Sequence, residues 1–209
     1  MRAAVPIVAA SGLLALAASA SGEDAHVNAN GNAFQAGSLN FDPAKVAVKV
    51  GEKVHWTNTD AAVPHTSTED HGLWRLSGDY GSPGPAQGYG PGETVERVFE
   101  AGTHHYYCEV HAEDMKAVVE VPVTLKRRRG RRVAATWAAA APEKGLAFDV
   151  ERRRGKRAWK TARDGTVATT MSFKAGKRGT RWQVRARLRS ADDAAKRTDW
   201  SPAASIRAK

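Results

Sequence analysis

The sequence predicts an all-β chain of two consecutive β-sandwiches, the second smaller than the first. Three observations predict it. Short runs of alternating apolar and polar residues recur along the chain between Gly, Pro and Asn turn signals, and no run of any length keeps a helical period. The charge changes sign at one position: residues 1–125 carry 7 Lys+Arg against 15 Asp+Glu, residues 126–209 carry 25 against 7, and the net +10 joins an acidic half to a basic one. Each half has enough strand-like sequence to bury a core of its own.

Residues 1–20 stand apart. Met1-Arg2 supplies one positive charge, an Ala-rich apolar run with Leu13, Leu14 and Leu16 follows, and Ala18-Ser19-Ala20 offers a small-residue cleavage site. This is the layout of a signal peptide. The run falls short of the roughly 20 apolar residues that span a bilayer, and no later segment is apolar enough to do so. The expectation is an exported protein, extracellular, periplasmic or in the cell envelope, that does not span a membrane. Residues 21–32 are small and polar and read as a flexible lead-in.

The first sandwich is expected over residues 33–125. A strand-like pattern runs from Ala33 to Phe41 and stops at Asp42-Pro43. In Ala44–Val50, Val46, Val48 and Val50 share one face and Lys45, Ala47 and Lys49 the other, the period of a half-buried strand. Gly51-Glu52 turns the chain into Lys53–Asn58, with Val54 and Trp56 on one face; residues 59–92 are loop-rich. Thr94–Phe99 and Thr103–Cys108 follow as strands about Gly102, and Ala117–Leu125 is read as one strand. Residues 126–132, Lys-Arg-Arg-Arg-Gly-Arg-Arg, read as a solvated basic linker. The second sandwich is expected over 133–209, with strands at Val133–Ala138, Ala147–Arg152, Ala158–Ala162, Thr169–Phe173, Thr180–Arg189 and Ala203–Arg207.

The chemistry concentrates in one loop. Cys108 is the only cysteine, His111 follows three residues later, and Met115 four after that. Exported proteins commonly carry cysteines in pairs, so a single one with a histidine and a methionine beside it reads as a metal ligand. A thiolate, an imidazole and a thioether suit copper cycling between its two oxidation states. A second imidazole must come from elsewhere, and His65 in Pro64-His65-Thr66 is the candidate. Of the other histidines, His71 is expected to be exposed, His104 to be a satisfied core histidine, His55 and His105 to face outward, and His26 to lie in the tail. The residues beside Cys108 are Tyr107 and Glu109. A multicopper oxidase or a copper nitrite reductase needs a histidine there, and a binuclear copper electron-entry site needs two cysteines. No catalytic triad or paired-carboxylate site is expected.

Residues 33–125 resemble the cupredoxin family, most closely its plastocyanin-like and amicyanin-like members. The carrying residues are Pro43 with Val46–Gly51, Val54-His-Trp56-Thr-Asn58, Pro64-His65-Thr66, and Gly102-Thr103 leading to Tyr106-Tyr-Cys108 and the ligand loop. The resemblance implies a Greek-key sandwich holding one type 1 (blue) copper ion. It implies that His65, Cys108 and His111 form the trigonal plane with Met115 axial, and that the residue after His65 donates its backbone N–H to the Cys108 sulfur. His104 stands where the family usually has a tyrosine.

Residues 133–207 resemble a fibronectin type III domain. The carrying residues are Val133–Trp137, Phe148–Glu151, Trp159-Lys160, Thr180–Arg187 and Asp199–Pro202; Trp182 stands where that family normally has tyrosine. Trp200 is expected to lie over Arg185 or Arg187. A module of net +18 fits a polyanionic partner, an anionic cell-envelope polymer before nucleic acid, which fits the charge but not export. The reading that follows is an exported mononuclear blue-copper electron carrier, serving an unknown redox protein and localised by its basic module. The alternative is a copper-binding or adhesive envelope protein without electron-transfer turnover.

Overall fold

The computed structural model describes residues 24–31, 39–81, 83 and 87–209. The leader at 1–20 and most of the strand expected at Ala33–Phe41 lie outside them. The chain is all-β. The first sandwich packs a four-stranded sheet, β2 (Asn40–Asp42), β1 (Ala25–Asn30), β4 (Lys53–Asn58) and β7 (Thr94–Val98), against a five-stranded one. The second sheet runs β3 (Lys45–Ala47), β9 (Lys116–Val121), β8 (Gly102–Tyr107), β5 (Ser67–Glu69) and β6 (Arg75–Leu76).

Period-two burial marks β1, β4, β8 and β9. In β8, Gly102, His104 and Tyr106 point inward and His105 outward, so the next inward position is Cys108. Between the sheets sits an aromatic cluster. Trp56 meets Tyr106 edge-on at 5.6 Å between ring centroids and donates its indole N–H to the Tyr106 hydroxyl at 3.1 Å, while Trp74 meets Phe99 edge-on at 5.6 Å. Each such fully buried ring contributes about 2–3 kcal/mol of hydrophobic stabilisation.

Two expectations about the first sandwich need correction. Residues 25–30, read as part of a lead-in, form β1, paired to both β2 and β4. Val27 and Ala29 are buried while His26 and Asn28 face out; the period was there, carried by residues too small and polar to announce it. His26 is therefore a strand residue, stacked on His55 at 4.9 Å. The loop-rich stretch 59–92 contains β5 and β6, each too short to show alternation.

The second sandwich has a three-stranded sheet, β10 (Thr124–Arg128), β11 (Arg132–Thr136) and β14 (Thr170–Lys174). Against it lies a four-stranded sheet, β13 (Lys160–Thr166), β12 (Leu146–Arg154), β15 (Arg181–Ser190) and β16 (Ala204–Arg207). The expectation of a linker at 126–132 is corrected: β10 and β11 form a hairpin paired from Thr124↔Thr136 to Arg128↔Arg132. Gly130 and Arg131 turn it at φ 70° and 53°. β10 is an edge strand, where exposed cationic side chains discourage pairing with another chain. The run expected as one strand over Ala117–Leu125 breaks at Pro122-Val123 and serves both sandwiches.

The two sandwiches touch through backbone as well as side chains. Ala101 donates its N–H to the Trp137 carbonyl at 2.6 Å. Thr103 and Asp199 exchange both bonds of an antiparallel bridge at 3.1 and 3.2 Å, on the β8 edge that β5 leaves open. The Thr103 hydroxyl adds a bond to the Trp200 carbonyl at 3.0 Å.

Candidate metal centre

Strand β8 delivers Cys108 to one end of the first sandwich, the end away from the second. A 3-10 turn at Glu109–His111 then folds the chain back: the His111 N–H donates to the Cys108 carbonyl at 3.1 Å and the Met115 N–H to the His111 carbonyl at 3.0 Å. Cys108 N–H in turn donates to the Met115 carbonyl at 3.1 Å, closing the loop on itself. Short spacing and these bonds together bring the His111 ring to the Cys108 sulfur and bury Met115 on the same loop.

His65 arrives from the other side. It makes a two-bond bridge with Tyr89, donating to the Tyr89 carbonyl at 3.1 Å and accepting from its N–H at 2.8 Å. Any side chain at Gly88 would strike the His65 carbonyl, so this close approach requires glycine there. Asn58 holds the preceding loop: its amide donates to the Val63 and Tyr89 carbonyls at 2.8 and 2.9 Å, and its side-chain oxygen accepts the Asp60 N–H at 2.8 Å. The two ligand-bearing segments are joined directly. The Glu109 N–H donates to the Thr66 hydroxyl at 2.8 Å, and Arg75 Nε reaches both Glu109 carboxylate oxygens at 3.1 and 3.0 Å.

The outcome is a compact donor set. His65 Nδ1 and His111 Nδ1 each lie 3.7 Å from Cys108 Sγ, and one donor atom from each of the three residues falls within 4.8 Å of the others. His65, Cys108 and Met115 are fully buried and His111 is half-buried, so one imidazole edge reaches the surface. Burial, then the neighbouring His111, lower the His65 imidazole to about pKa 4 against the pull of Asp60. Burial likewise lowers His111, against Asp60 and Asp114. Both rings are thus neutral at pH 7, with lone pairs available to a cation. The Thr66 N–H points at Cys108 Sγ at 3.4 Å, as the resemblance implied. A buried hydrogen-bonded thiol between two neutral imidazoles, with a buried thioether on the same loop, fits a type 1 copper ion.

The comparisons agree. Residues 27–122 match the family described as copper binding proteins, plastocyanin/azurin family. A plastocyanin from Scenedesmus fuscus is 36% identical over 89 residues, 41% of this chain and 89% of that protein. The chain belongs to the plastocyanin/azurin family of copper-binding proteins. That membership rests on its first sandwich. Solved structures similar to it include a purple cupredoxin from Nitrosopumilus maritimus, 29% identical, covering 47% of this chain and 99% of that one at a TM-score of 0.36. Another is the copper-containing nitrite reductase of Thermus scotoductus SA-01, 21% identical, covering 47% of this chain and 22% of that one at 0.33.

The remaining histidines fall out by environment. His104 is fully buried, and both ring nitrogens are satisfied: Trp74 Nε1–H donates to Nδ1 at 3.4 Å, and Nε2–H donates to the Glu100 carbonyl at 3.1 Å. It is the satisfied core histidine expected. His71 and His105 are exposed, whereas His55 is only partly so, held between Asp24 and Glu96 carboxylates at 3.4 and 3.3 Å. Among the described residues His65 Nε2 has no hydrogen-bond partner; it faces the Asp60 carboxylate at 3.8 Å, beyond hydrogen-bond length. Asp60, Arg75 and Tyr89 escaped the sequence reading. Only Asn58 carried a signal, as part of the Trp56-Thr-Asn58 pattern.

Proposed function

We propose that this chain is an exported mononuclear blue-copper protein that carries single electrons, with His65, Cys108, His111 and Met115 as the ligands. The observation that carries the reading is the Cys108 environment. Its sulfur lies fully buried among two neutral imidazoles and one backbone N–H, and His111 alone of the four candidate ligands is partly exposed. Bound there, copper supplies a one-electron couple, Cu(I)/Cu(II). The protein's part is to hold the donors still. The Glu109 N–H to Thr66 bond and the Asn58 network tie both ligand segments to the sheets, so the donors need not move between oxidation states. His111, half-buried beside exposed Ala112 and Glu113, is the natural contact for an electron-exchange partner. Tyr107 and Glu109 beside Cys108 offer no histidine to a second copper, which favours a carrier over a catalyst.

The second sandwich supports a fibronectin type III-like reading: seven strands in a three-plus-four arrangement, with Trp200 over both Arg185 and Arg187 at 4.5 and 4.2 Å. Trp182, in the place of that family's tyrosine, donates its indole N–H to the Ala175 carbonyl at 2.8 Å. We read this basic module as the element that localises the copper domain. Export rests on the leader at residues 1–20; among the described residues no helix is long and apolar enough to cross a membrane.

Reconstitution with Cu(II) tests the carrier. The expected result is an intense blue charge-transfer band, absent in Cys108→Ser, with reversible one-electron reduction. A pale tetragonal copper signal, or an irreversible couple, overturns it and favours a static copper-binding protein.

A further inference from the structure

The basic residues of the second sandwich are not spread over it. β11, β12 and β14 have one end beside the copper domain, through Trp137, Leu146 and Thr169, and the turns at their other end converge. The Ala175 N–H donates to the Arg131 carbonyl at 2.8 Å, Gly155 to Arg181 at 2.8 Å, and Gly179 to Ala208 at 2.9 Å. Four segments, 126–132, 154–160, 174–181 and 207–209, therefore form one cap. They carry sixteen lysines and arginines and no aspartate or glutamate. All sixteen are exposed.

Among the described residues no ion pair engages a cap cation. The ion pairs of the second sandwich employ Arg185, Arg187 and Arg189 on Glu151, Asp149 and Asp164. The ion pairs between the sandwiches run against the net charges, Arg97 of the acidic half on Glu143 and His105 on Asp199. Attraction of the basic module to the acidic domain therefore does not explain the cap.

The cap is grooved. One open cleft lies between Arg154, Arg157 and Arg181; the next shares Arg181 and ends at Arg207. Arg127 Nε donates to the Arg207 carbonyl at 3.0 Å, leading into a third cleft that holds Arg128 and Arg131. Arg131 also lines the fourth, with Lys174 and Lys177. Four cationic clefts thus join end to end around the tip of the sandwich.

We propose that this cap is a binding track for a linear, phosphate-bearing polymer, which rests on the localising role of the module and names its surface and ligand. A continuous groove fits a chain better than a flat bilayer. The large exposed apolar side chains among the described residues are Tyr80, Val98 and Val167, none of them in the cap, so nothing there inserts into lipid. Arginine outnumbers lysine in the cap, and its planar fork pairs bidentately with phosphate oxygens. Trp159 is the cap's only aromatic residue and already lies between Arg153 and Arg185, at 4.4 Å from each, which leaves no free platform for nucleic-acid bases.

The test uses the full chain and long-chain polyphosphate as probe, read by fluorescence anisotropy or calorimetry. With about five phosphates engaged, counterion release predicts affinity about a hundredfold weaker at 200 mM than at 50 mM salt. The triple variant Arg131→Glu, Arg181→Glu, Arg207→Glu should weaken binding at least tenfold more than Lys144→Glu, Arg163→Glu, Lys196→Glu, which makes the same charge change at exposed positions outside the cap. Equal weakening by both variants overturns the track and leaves a diffuse basic module. Absence of binding by the unaltered chain overturns the localising reading as well. Tighter binding to polygalacturonate, to single-stranded DNA or to anionic vesicles than to polyphosphate overturns the assignment of the ligand. The blue band and potential should be the same in both variants, which separates all these outcomes from failure of the copper site.

Discussion

His104 makes the stability of the copper-free protein depend on pH in a way that one substitution exposes. The ring is fully buried, and burial, opposed by the Glu100 carbonyl and carboxylate, lowers its pKa from the usual 6.5. The native state therefore holds a neutral ring where the unfolded chain begins to take up a proton. Between the unfolded and folded pKa values the unfolded state binds more protons, so stability is full above pH 6.5 and falls as pH drops below it. A ring that stays neutral while the unfolded chain protonates costs on the order of 1 kcal/mol of stability between pH 7.5 and 5.5. His104→Phe keeps the ring volume, removes the titration and strands two buried partners, the Trp74 indole N–H and the Glu100 carbonyl. Each stranded group costs about 1–3 kcal/mol. Urea unfolding of both apoproteins at the two pH values is the assay. The variant is expected to be less stable by about 2 kcal/mol or more at pH 7.5, and to lose on the order of 1 kcal/mol less than the parent on going to pH 5.5. His65 and His111 are depressed in both proteins and cancel in the comparison. Equal losses in the two proteins would refute the role given to His104.

Three further outcomes are expected. Thr66→Pro removes the N–H aimed at Cys108 Sγ while Thr66→Ser keeps it together with the hydroxyl that accepts the Glu109 N–H, so only the proline variant should show a lower reduction potential by voltammetry; equal potentials would mean the contact is idle. Asp149 accepts from Gly165 N–H, Arg187 and Arg189, which outweigh the burial that would raise its pKa. Its stabilising contribution is present above about pH 4 and is lost as pH falls through its lowered folded value; Asp149→Asn should cost about 3 kcal/mol at pH 7 in denaturant unfolding. Asp199→Pro deletes one bond of the bridge to Thr103 and should loosen the two sandwiches by about 1 kcal/mol, read as faster proteolysis at Pro122–Leu125 with the blue band unchanged.

What the sequence made legible was local. Cys108, His111 and Met115 share one loop, and period-two burial along β8 fixes which way Cys108 points, so the loop could be read before any fold was known. The Arg185 and Arg187 contacts with Trp200 were legible because alternation in β15 puts both arginines on one face. Strand β1 was missed because Ala25, Val27 and Ala29 make a weak apolar stripe that becomes decisive only between β2 and β4. The basic hairpin was missed for a different reason. A run of arginines reads as a solvated linker from either side, and its strand character comes from pairing with Ala134 and Val133 of β11. Arg75 acts through Glu109, distant in sequence, and Asp60 through a carboxylate that only the loop conformation sets beside His65, so no spacing rule reaches them.

The bridge between Thr103 and Asp199 links the two ends of the molecule in one further respect. From Thr103, β8 runs five residues to Cys108, about 17 Å at the rise of a strand. From the same seam, which Leu146 lines, β12 runs to Arg154 in the cap, about 26 Å away along the strand. The cap is thus several screening lengths from the copper site, the Debye length being about 8 Å at physiological salt. A polyanion seated on the cap would leave the charge balance at Cys108 and the exposed edge of His111 undisturbed. The same junction explains why the sandwiches meet by hydrogen bonds and apolar contact, with Ala101 and Trp137 buried at the seam, instead of by their opposite net charges. Pairing acidic half to basic half would have neutralised the cap and brought it toward the metal. Docking through the β8 edge keeps both surfaces free, and it is this edge, more than any residue of either site, that would let the proposed carrier hold the proposed polymer at one end and exchange electrons at the other.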